Sequence, residues 1–109
     1  MGKFVITVRK NGEFQFNLKA VNGQVILTSE GYSSKAACLN GIESVKKNAV
    51  EEKKFEVNEA NNGKFFFNLK AANGQVIGTS QMYASMDTMK TGIASVMKNA
   101  PEAPVVEEI

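Results

Sequence analysis

A set of amide, cationic and aromatic side chains is the one group in this chain whose types and spacing suit ligand recognition. Its members stand two residues apart along two predicted strands, with one arginine nearby: Arg9, Gln15, Asn17, Lys19, Phe66, Asn68 and Lys70. Amides donate and accept hydrogen bonds, ammonium groups contact anions, and a phenyl ring stacks on bases. This face is a candidate surface for a polar ligand, a peptide or a single-stranded nucleic acid. The alternative is an ordinary solvated sheet face with one exposed aromatic ring.

Other chemistry finds little support in the sequence. The chain has no histidine, which removes imidazole catalysis and imidazole metal ligation. The single cysteine, Cys38, is interpreted as a small core residue rather than a reactive thiol. The carboxylates are scattered, so we expect solvated charge rather than an acid/base pair or a metal site. Because no nucleophile or phosphate-binding motif occurs either, we expect no enzymatic activity and no cofactor.

Length and charge place further bounds on the class of protein. The chain has 109 residues, of which 43% are hydrophobic and 22% charged, as in a single globular domain. It has no apolar run of the roughly 18 residues that a membrane span needs and no signal segment, so we expect a cytoplasmic protein without a membrane partner. The net charge is +2, and Arg9 is the only arginine among 13 basic residues. Because base readers rely on arginine, nucleic acid is the less favoured ligand.

The sequence contains two copies of one unit. Shifted by 51 residues, positions 3–49 align with 54–100 without a gap, and 26 of the 47 aligned positions are identical. Such self-similarity indicates a duplicated supersecondary unit. We expect a single domain, 1–109, made of repeat 1 (1–51) and repeat 2 (52–109), related by a pseudo-two-fold axis and ending in a short tail strand.

Each copy begins with three predicted strands. Apolar residues alternate with other residues over 4–8 and again over 14–20, which is the period of a half-buried strand, and 24–29 forms a third. Asn-Gly dipeptides at 11–12 and 22–23 separate the strands and suit type I′ hairpins. The pattern predicts an antiparallel meander.

A helix follows the third strand in each copy. Ser34 and Ser85 are predicted N-caps, and the first helix carries an apolar stripe of Cys38, Gly41, Ile42, Val45 and Ala49. The mid-stripe glycines, Gly41 and Gly92, each cost about 1 kcal/mol relative to alanine. Their presence in both copies predicts that each helix lies close on the sheet, where a Cβ would not fit.

These elements predict an α+β fold in two layers. One apolar face per strand and one stripe per helix give a single antiparallel sheet with both helices on one face. A single copy has little core of its own, so the two copies must extend one sheet and share one hydrophobic layer. Four methionines enrich the second copy; we expect them to fill the core, with the exposure of Met86 and Met97 as the test.

At these residues the sequence resembles the YegP-like family of small, uncharacterised bacterial proteins. The resemblance covers nearly the whole chain and rests on three motifs, Phe16-x-Leu18-Lys19-Ala20-x-Asn22-Gly23-x-x-Ile26, Tyr32-x-Ser34-Lys35 and Gly41-Ile42-x-Ser44-Val45-x-x-Asn48-Ala49. It implies β-β-β-α-β units in one sheet, with the C-terminal strands exchanged between units. By the resemblance, Val105–Ile109 forms a strand and part of Val50–Phe55 has the matching role in repeat 1. It implies no activity.

The sequence therefore predicts a non-enzymatic binding or interaction module of unknown specificity. A protein or a polar ligand is the expected partner, and a monomer with paired repeats is expected rather than an obligate oligomer. The alternative is weak nucleic-acid binding on the Asn/Lys face.

Overall fold

The chain folds into one seven-stranded sheet that carries two helices on one face. The computed structural model describes residues 2–109. The strands are β1 (Lys3–Val8), β2 (Phe14–Lys19), β3 (Val25–Thr28), β4 (Phe55–Glu59), β5 (Phe65–Lys70), β6 (Val76–Thr79) and β7 (Val105–Glu107). The helices are α1 (Lys35–Asn48) and α2 (Met86–Asn99), and short 3₁₀ turns follow them at Glu52–Lys54 and Ala100–Glu102. The predicted α+β fold of two repeats is confirmed.

The strands lie in the order β4-β5-β6-β3-β2-β1-β7, so the two meanders meet at the centre of the sheet. There β3 pairs with β6, with Thr28 opposite Thr79. The sheet is mixed rather than wholly antiparallel, because β7 runs parallel to β1 with Val105 opposite Phe4. The reason is the path of the chain: it leaves α2 beside the start of β1, where the Phe4 N–H donates to the Pro104 carbonyl at 2.8 Å.

The two segments that follow the helices differ. The strand implied for Val105–Ile109 is confirmed over Val105–Glu107. The matching role implied for part of Val50–Phe55 is wrong, because Glu52–Lys54 is a 3₁₀ turn and Phe55 is the first residue of β4. Within residues 2–109, no strand lies on the outer side of β4.

The hairpin turns also differ from the type I′ prediction. Only glycines have positive φ among the described residues, with Gly12 at 88°, whereas a type I′ turn needs positive φ at both central positions. Gly12 instead closes a three-residue loop, its N–H donating to the Arg9 carbonyl at 2.9 Å. The side-chain oxygen of Asn11 accepts from the Glu13 N–H at 3.0 Å, which stabilises this asparagine at an ordinary negative φ.

The helix predictions are confirmed at both ends and along the stripe. The Ser34 hydroxyl accepts from the Ala37 N–H at 3.1 Å, and the Ser85 hydroxyl from the Thr88 N–H at 3.2 Å. Lysines occupy the last turn of each helix, where their positive charge interacts favourably with the negative end of the helix dipole. The predicted stripe of α1 is buried against the sheet.

The hydrophobic core is shared by the two repeats. Helix α1 packs on β2 of its own repeat and on β5 and β6 of the other, while α2 packs on β5 and β3. Near the centre, Leu27 is fully buried, and the residue 51 positions later is Gly78. A Cβ on Gly78 would lie 2.7 Å from Leu27 Cδ2, so one leucine fills a space that two equivalent side chains cannot share.

The mid-stripe glycines allow a tyrosine ring to reach under each helix. A Cβ on Gly41 would overlap the Tyr32 hydroxyl oxygen and lie 2.7 Å from ring atom Cζ. Tyr32 in turn stacks on Phe16, with ring centroids 6.2 Å apart. Gly92 and Tyr83 repeat the arrangement. The predicted close approach is confirmed, and the neighbour is an aromatic ring rather than the strand backbone.

Gly41→Val is expected to lower the free energy of unfolding by about 3 kcal/mol, because the added methyl groups must displace a packed ring. The matched control is Asn40→Val, one residue earlier on the exposed side of the same helix, with an expected change within about 0.5 kcal/mol. Urea unfolding followed by circular dichroism measures both. Equal losses of unfolding free energy in the two variants would show that the Tyr32 ring can move aside without an energetic penalty.

Candidate functional site

The candidate site is the sheet face turned away from α1 and α2, here called the outer face. No helix of residues 2–109 covers it, since both helices pack on the opposite side. Along β2 and β5 the inward residues Phe16, Leu18, Phe67 and Leu69 are buried, and the outward residues are half-buried. These half-buried positions are six of the seven sequence-predicted site residues: Gln15, Asn17, Lys19, Phe66, Asn68 and Lys70. Arg9 follows β1 and lies at the margin of this face.

A row of polar side chains crosses the four central strands of the outer face. Asn17 of β2 is opposite Thr28 of β3, Thr28 is opposite Thr79 of β6, and Thr79 is opposite Asn68 of β5. The Thr79 hydroxyl donates to the Asn68 side-chain oxygen at 2.8 Å, whereas Asn17 accepts from the Gln15 amide at 3.4 Å. The two halves of the row therefore carry the same amides and hydroxyls, related by the pseudo-two-fold axis. These equivalent side chains make different hydrogen bonds in the two halves.

A groove of about 410 Å³ follows the seam between β3 and β6. We call it the central groove and define it by Val25, Thr28, Val76 and Thr79, which line it in two equivalent pairs. It exists because the two strands are short and pair at a single position, Thr28 with Thr79. The arrangement suits a ligand with an apolar part between the valines and polar groups directed at the threonines and neighbouring amides.

The two equivalent lysines of the outer face have different surroundings. Lys70 Nζ lies 2.9 Å from Glu56 Oε2, across the β4–β5 pair. Lys19 is instead opposite Lys3, so repeat 1 presents two neighbouring positive charges. Repeat 2 keeps both lysines, as Lys54 and Lys70, but adds the carboxylate of Glu56, which stands 51 positions after Val5. The positive charge of the outer face is therefore concentrated on the β1–β2 side.

The remaining predicted residues are held by neighbours. Arg9 Nε donates to Gln15 Oε1 at 2.7 Å, and its guanidinium lies 3.6 Å from the Glu13 carboxylate. Phe66 is half-buried opposite Asn58, so only part of its ring is open to a stacking partner. Arg9 and Phe66 thus belong to opposite halves of the outer face and do not form one site.

Sequence reasoning missed the central groove. Thr-Ser recurs at 28–29 and 79–80, but neither threonine is among the sequence-predicted site residues. The serines stabilise the sheet, since the hydroxyls of Ser29 and Ser80 accept from the Phe16 and Phe67 N–H groups at 2.9 Å. The alternation of the third strand would have placed Thr28 outward. Its meeting with Thr79 depends on the pairing of two distant strands.

Lys70→Met is expected to raise the pKa of Glu56 towards its ordinary value. The hydrogen bond from Lys70, and then its positive charge, hold the pKa of this carboxyl below the usual range, so the ion pair persists as the pH falls until that lowered pKa is reached. A pH titration of the Glu56 side-chain carbon by NMR measures the change. Lys19→Met, on the other half of the face, is the matched control and should leave the Glu56 curve in place.

The structure places the other reactive groups as follows. Cys38 is fully buried on the α1 stripe, and burial raises the pKa of its thiol, which favours the neutral form.

Across the described chain from residue 2 onward, no three potential metal ligands come together. Neither helix in that same stretch is long and apolar enough to cross a membrane. The expectation that the methionines of the second copy fill the core is wrong for Met82 and Met86, which are 50% and 39% exposed, whereas Met89 is buried and Met97 packs partly against the core.

Comparison with known proteins finds full-length relatives. The family described as a domain of unknown function, DUF1508, matches twice, over residues 10–56 and 60–107. A UPF0339 protein encoded in the ptx operon 5′ region of Stutzerimonas stutzeri is 57% identical over 97% of this chain and 96% of its own. The UPF0339 protein YegP of Escherichia coli K12 is 50% identical over 95% of this chain and 94% of its own.

Two solved structures have the same fold. The solution NMR structure of YegP from E. coli, described as a protein of unknown function, has a TM-score of 0.93 and 48% identity, covering 98% of this chain and 92% of that one. The solution NMR structure of a UPF0339 protein from Shewanella oneidensis has a TM-score of 0.92 and 47% identity, covering 97% and 90%.

Proposed function

Since this chain belongs to the DUF1508 family of YegP-like proteins, whose relatives are uncharacterised, we infer its function from its surface. We propose that it is a non-enzymatic interaction module that binds through the outer face. The supporting observation is the central groove, where paired threonines and valines lie between two asparagines on an uncovered sheet. The groove suits a small polar ligand or a polar loop of a protein partner.

The absence of catalysis is part of this proposal. The chain has no histidine, and the Cys38 thiol is fully buried, which raises its pKa and disfavours the thiolate. The outer face carries amides, hydroxyls and ammonium groups, which bind and orient ligands. Two of its carboxylates lie near the centre row: Glu30 lines the central groove, and Glu56 forms an ion pair with Lys70.

A ligand screen by protein-detected NMR tests the proposal. We expect members of a library of amino acids, nucleotides, sugars and short polar peptides to shift the amide signals of the central groove and of its flanking asparagines. Thr28→Arg with Thr79→Arg should abolish these shifts by filling the groove. Thr91→Arg, on the exposed side of α2, is the matched control and should leave them unchanged. Shifts confined to the helix side, or none anywhere, would contradict the proposal.

Weak nucleic-acid binding is the second candidate, and the juxtaposition of Lys3 and Lys19 favours it. Oligo(dT) should then bind with a steep salt dependence, and Lys19→Glu with Lys70→Glu should remove the binding. Of the two single variants, Lys19→Glu should weaken the binding more than Lys70→Glu, since Lys70 is paired with Glu56. No binding at low salt would eliminate this candidate.

We further propose that the module acts in the cytoplasm as a monomer. The free thiol of Cys38 needs no oxidising compartment, and β7 covers the β1 edge of the sheet, which removes one route to strand pairing between copies. Cell fractionation and sedimentation equilibrium measure the two properties. A secreted protein or a tight dimer would contradict them.

A further inference from the structure

The C-terminal segment is a strand that docks on the outer edge of repeat 1. Residues 103–107 lie beside β1, where the Phe4 N–H donates to the Pro104 carbonyl and the Glu108 N–H donates to the Ile6 carbonyl, both at 2.8 Å. Ala103 is 1% exposed and packs in the core. At the far end of the segment, Glu107 forms an ion pair of 2.7 Å with Lys35, the first residue of α1. This segment thereby covers the seam between β1 and α1.

The equivalent seam in repeat 2 is open. Ile6 is fully buried beneath the segment, whereas Val57, which stands 51 positions later, is 44% exposed. A groove of about 300 Å³ runs between β4 and α2 at this place. We call it the β4 groove and define it by Phe55, Val57, Ile93 and Met97. It is bordered along its length by β4, an edge strand with no neighbour on this side within residues 2–109.

The chain cannot fill this groove with its own equivalent segment. The residues that follow α1 turn through Glu52–Lys54 and become β4 itself. The C-terminal segment is already bound at the other edge of the sheet. None of residues 2–109 is therefore available as its occupant.

We propose that the β4 groove binds an extended peptide of a partner protein, added to the sheet parallel to β4 as β7 is added to β1. Peptides commonly bind exposed sheet edges in this way, with backbone hydrogen bonds giving affinity and alternate side chains giving specificity. The proposal concerns a different surface from the outer-face groove and stands without it.

The residues that differ between the two seams define the peptide. In repeat 1, Glu107 of the segment pairs with Lys35. The residue equivalent to Lys35 in repeat 2 is Met86, so the peptide residue equivalent to Glu107 should be apolar. Where Val106 lies opposite Val5, the equivalent of that valine is Glu56, so the peptide residue there should be basic and share this carboxylate with Lys70. Since the Phe55 N–H already donates to the Glu52 carbonyl, no peptide residue takes the place of Pro104 there, and a β-branched residue is expected in the place of Val105.

Charge argues against a second copy of this chain as the occupant. β4 carries Glu56 and Glu59 and no basic residue, so pairing two β4 strands would bring four carboxylates together. The C-terminal segment of a second copy would place Glu107 against Met86, and to bind there it would have to leave its own β1. A peptide with a basic residue opposite Glu56 has neither disadvantage.

Two synthetic peptides test the proposal on the full-length chain. Both have the sequence of residues 101–109 with Val106→Lys; the leucine peptide also has Glu107→Leu, and the glutamate peptide keeps Glu107. We expect the leucine peptide to shift the amide signals of β4 and α2 and to bind about fivefold more tightly than the glutamate peptide. Shifts at β1 and α1 instead would mean that the peptide only displaces β7, and the proposal would be wrong.

A change of specificity gives the sharper result. Met86→Lys restores the ion-pairing partner that repeat 1 has in Lys35, so this variant should reverse the order of the two peptides. An unchanged order would overturn the assignment of the peptide residue to this position. Since Met86 is an exposed position at the start of α2, the variant should fold.

The edge itself can be blocked without disturbing β5. Val57 stands where Ile6 stands in repeat 1, and Ile6 uses its carbonyl towards β7, so the Val57 backbone faces away from β5. Val57→Pro removes an outward N–H and should bind the peptide at least tenfold more weakly than Val57→Thr, which keeps the N–H at the same position. Equal binding by both variants would refute strand addition. If the β4 signals shift with rising protein concentration in the absence of peptide, and sedimentation shows a dimer, then the edge binds a second copy. That result would refute the proposal of a partner peptide.

Discussion

The fragment of residues 1–51 should be unfolded as a monomer. Cutting the chain there removes β6 from the side of β3 and takes away β5 and β6, on which α1 packs. It also removes β7, leaving β1 as an open edge above Ile6, which is fully buried in the intact chain. A three-stranded sheet with one helix retains too small a core to offset the conformational entropy of ordering it. Far-UV circular dichroism and urea unfolding at low concentration should show no cooperative transition.

Adding the complementary fragment, residues 52–109, provides the control. An equimolar mixture should regain a dispersed NMR spectrum and a cooperative transition that depends on concentration, because the missing strands and helix return together. Cooperative unfolding of the first fragment alone, with sedimentation showing a monomer, would mean that each repeat has a sufficient core. The shared-core account of the fold would then be wrong.

Gly78→Leu should lower the free energy of unfolding by about 3 kcal/mol. A Cβ at this position lies 2.7 Å from Cγ and Cδ2 of Leu27, so a full leucine side chain must push apart the centre of the core. Urea unfolding measures the loss. Val76→Leu, two residues earlier on the outer side of the same strand, is the control and should change stability by less than about 0.5 kcal/mol.

Exchanging the two residues should recover most of that loss. Leu27→Gly alone is expected to cost at least about 3 kcal/mol, because it empties a fully buried position. The double variant, Leu27→Gly with Gly78→Leu, places one leucine at the centre again and should lie within about 1.5 kcal/mol of the parent. Additive losses in the double variant would show that the two positions do not share one space.

Local features of the fold were predictable because neighbouring residues determine them. Ser34 caps its helix through a hydroxyl three residues from its partner, and Gly41 signals a close approach whatever the neighbour is. The type I′ prediction at Asn11 failed for an equally local reason: its side chain stabilises an ordinary negative φ. The parallel direction of β7 required knowing where the end of α2 lies relative to β1, which is a property of the assembled sheet.

The candidate site follows the same division. Alternation along β2 placed Asn17 and Lys19 on the uncovered face, and duplication placed their equivalents beside them in the second half. The central groove needed the pairing of Thr28 with Thr79, which are 51 residues apart. The difference between Lys19 and Lys70 needed the cross-strand position of Glu56, since no spacing along the chain brings Glu56 beside Lys70.

The single leucine at the middle of the core means that the two repeats are no longer interchangeable parts. A chain assembled from the first repeat twice would have two leucines competing for one site and would be overfilled at its centre. A chain assembled from the second repeat twice would have two glycines there and would be hollow. Symmetry survives in the backbone of this protein, while its stability depends on the place where the sequence breaks that symmetry.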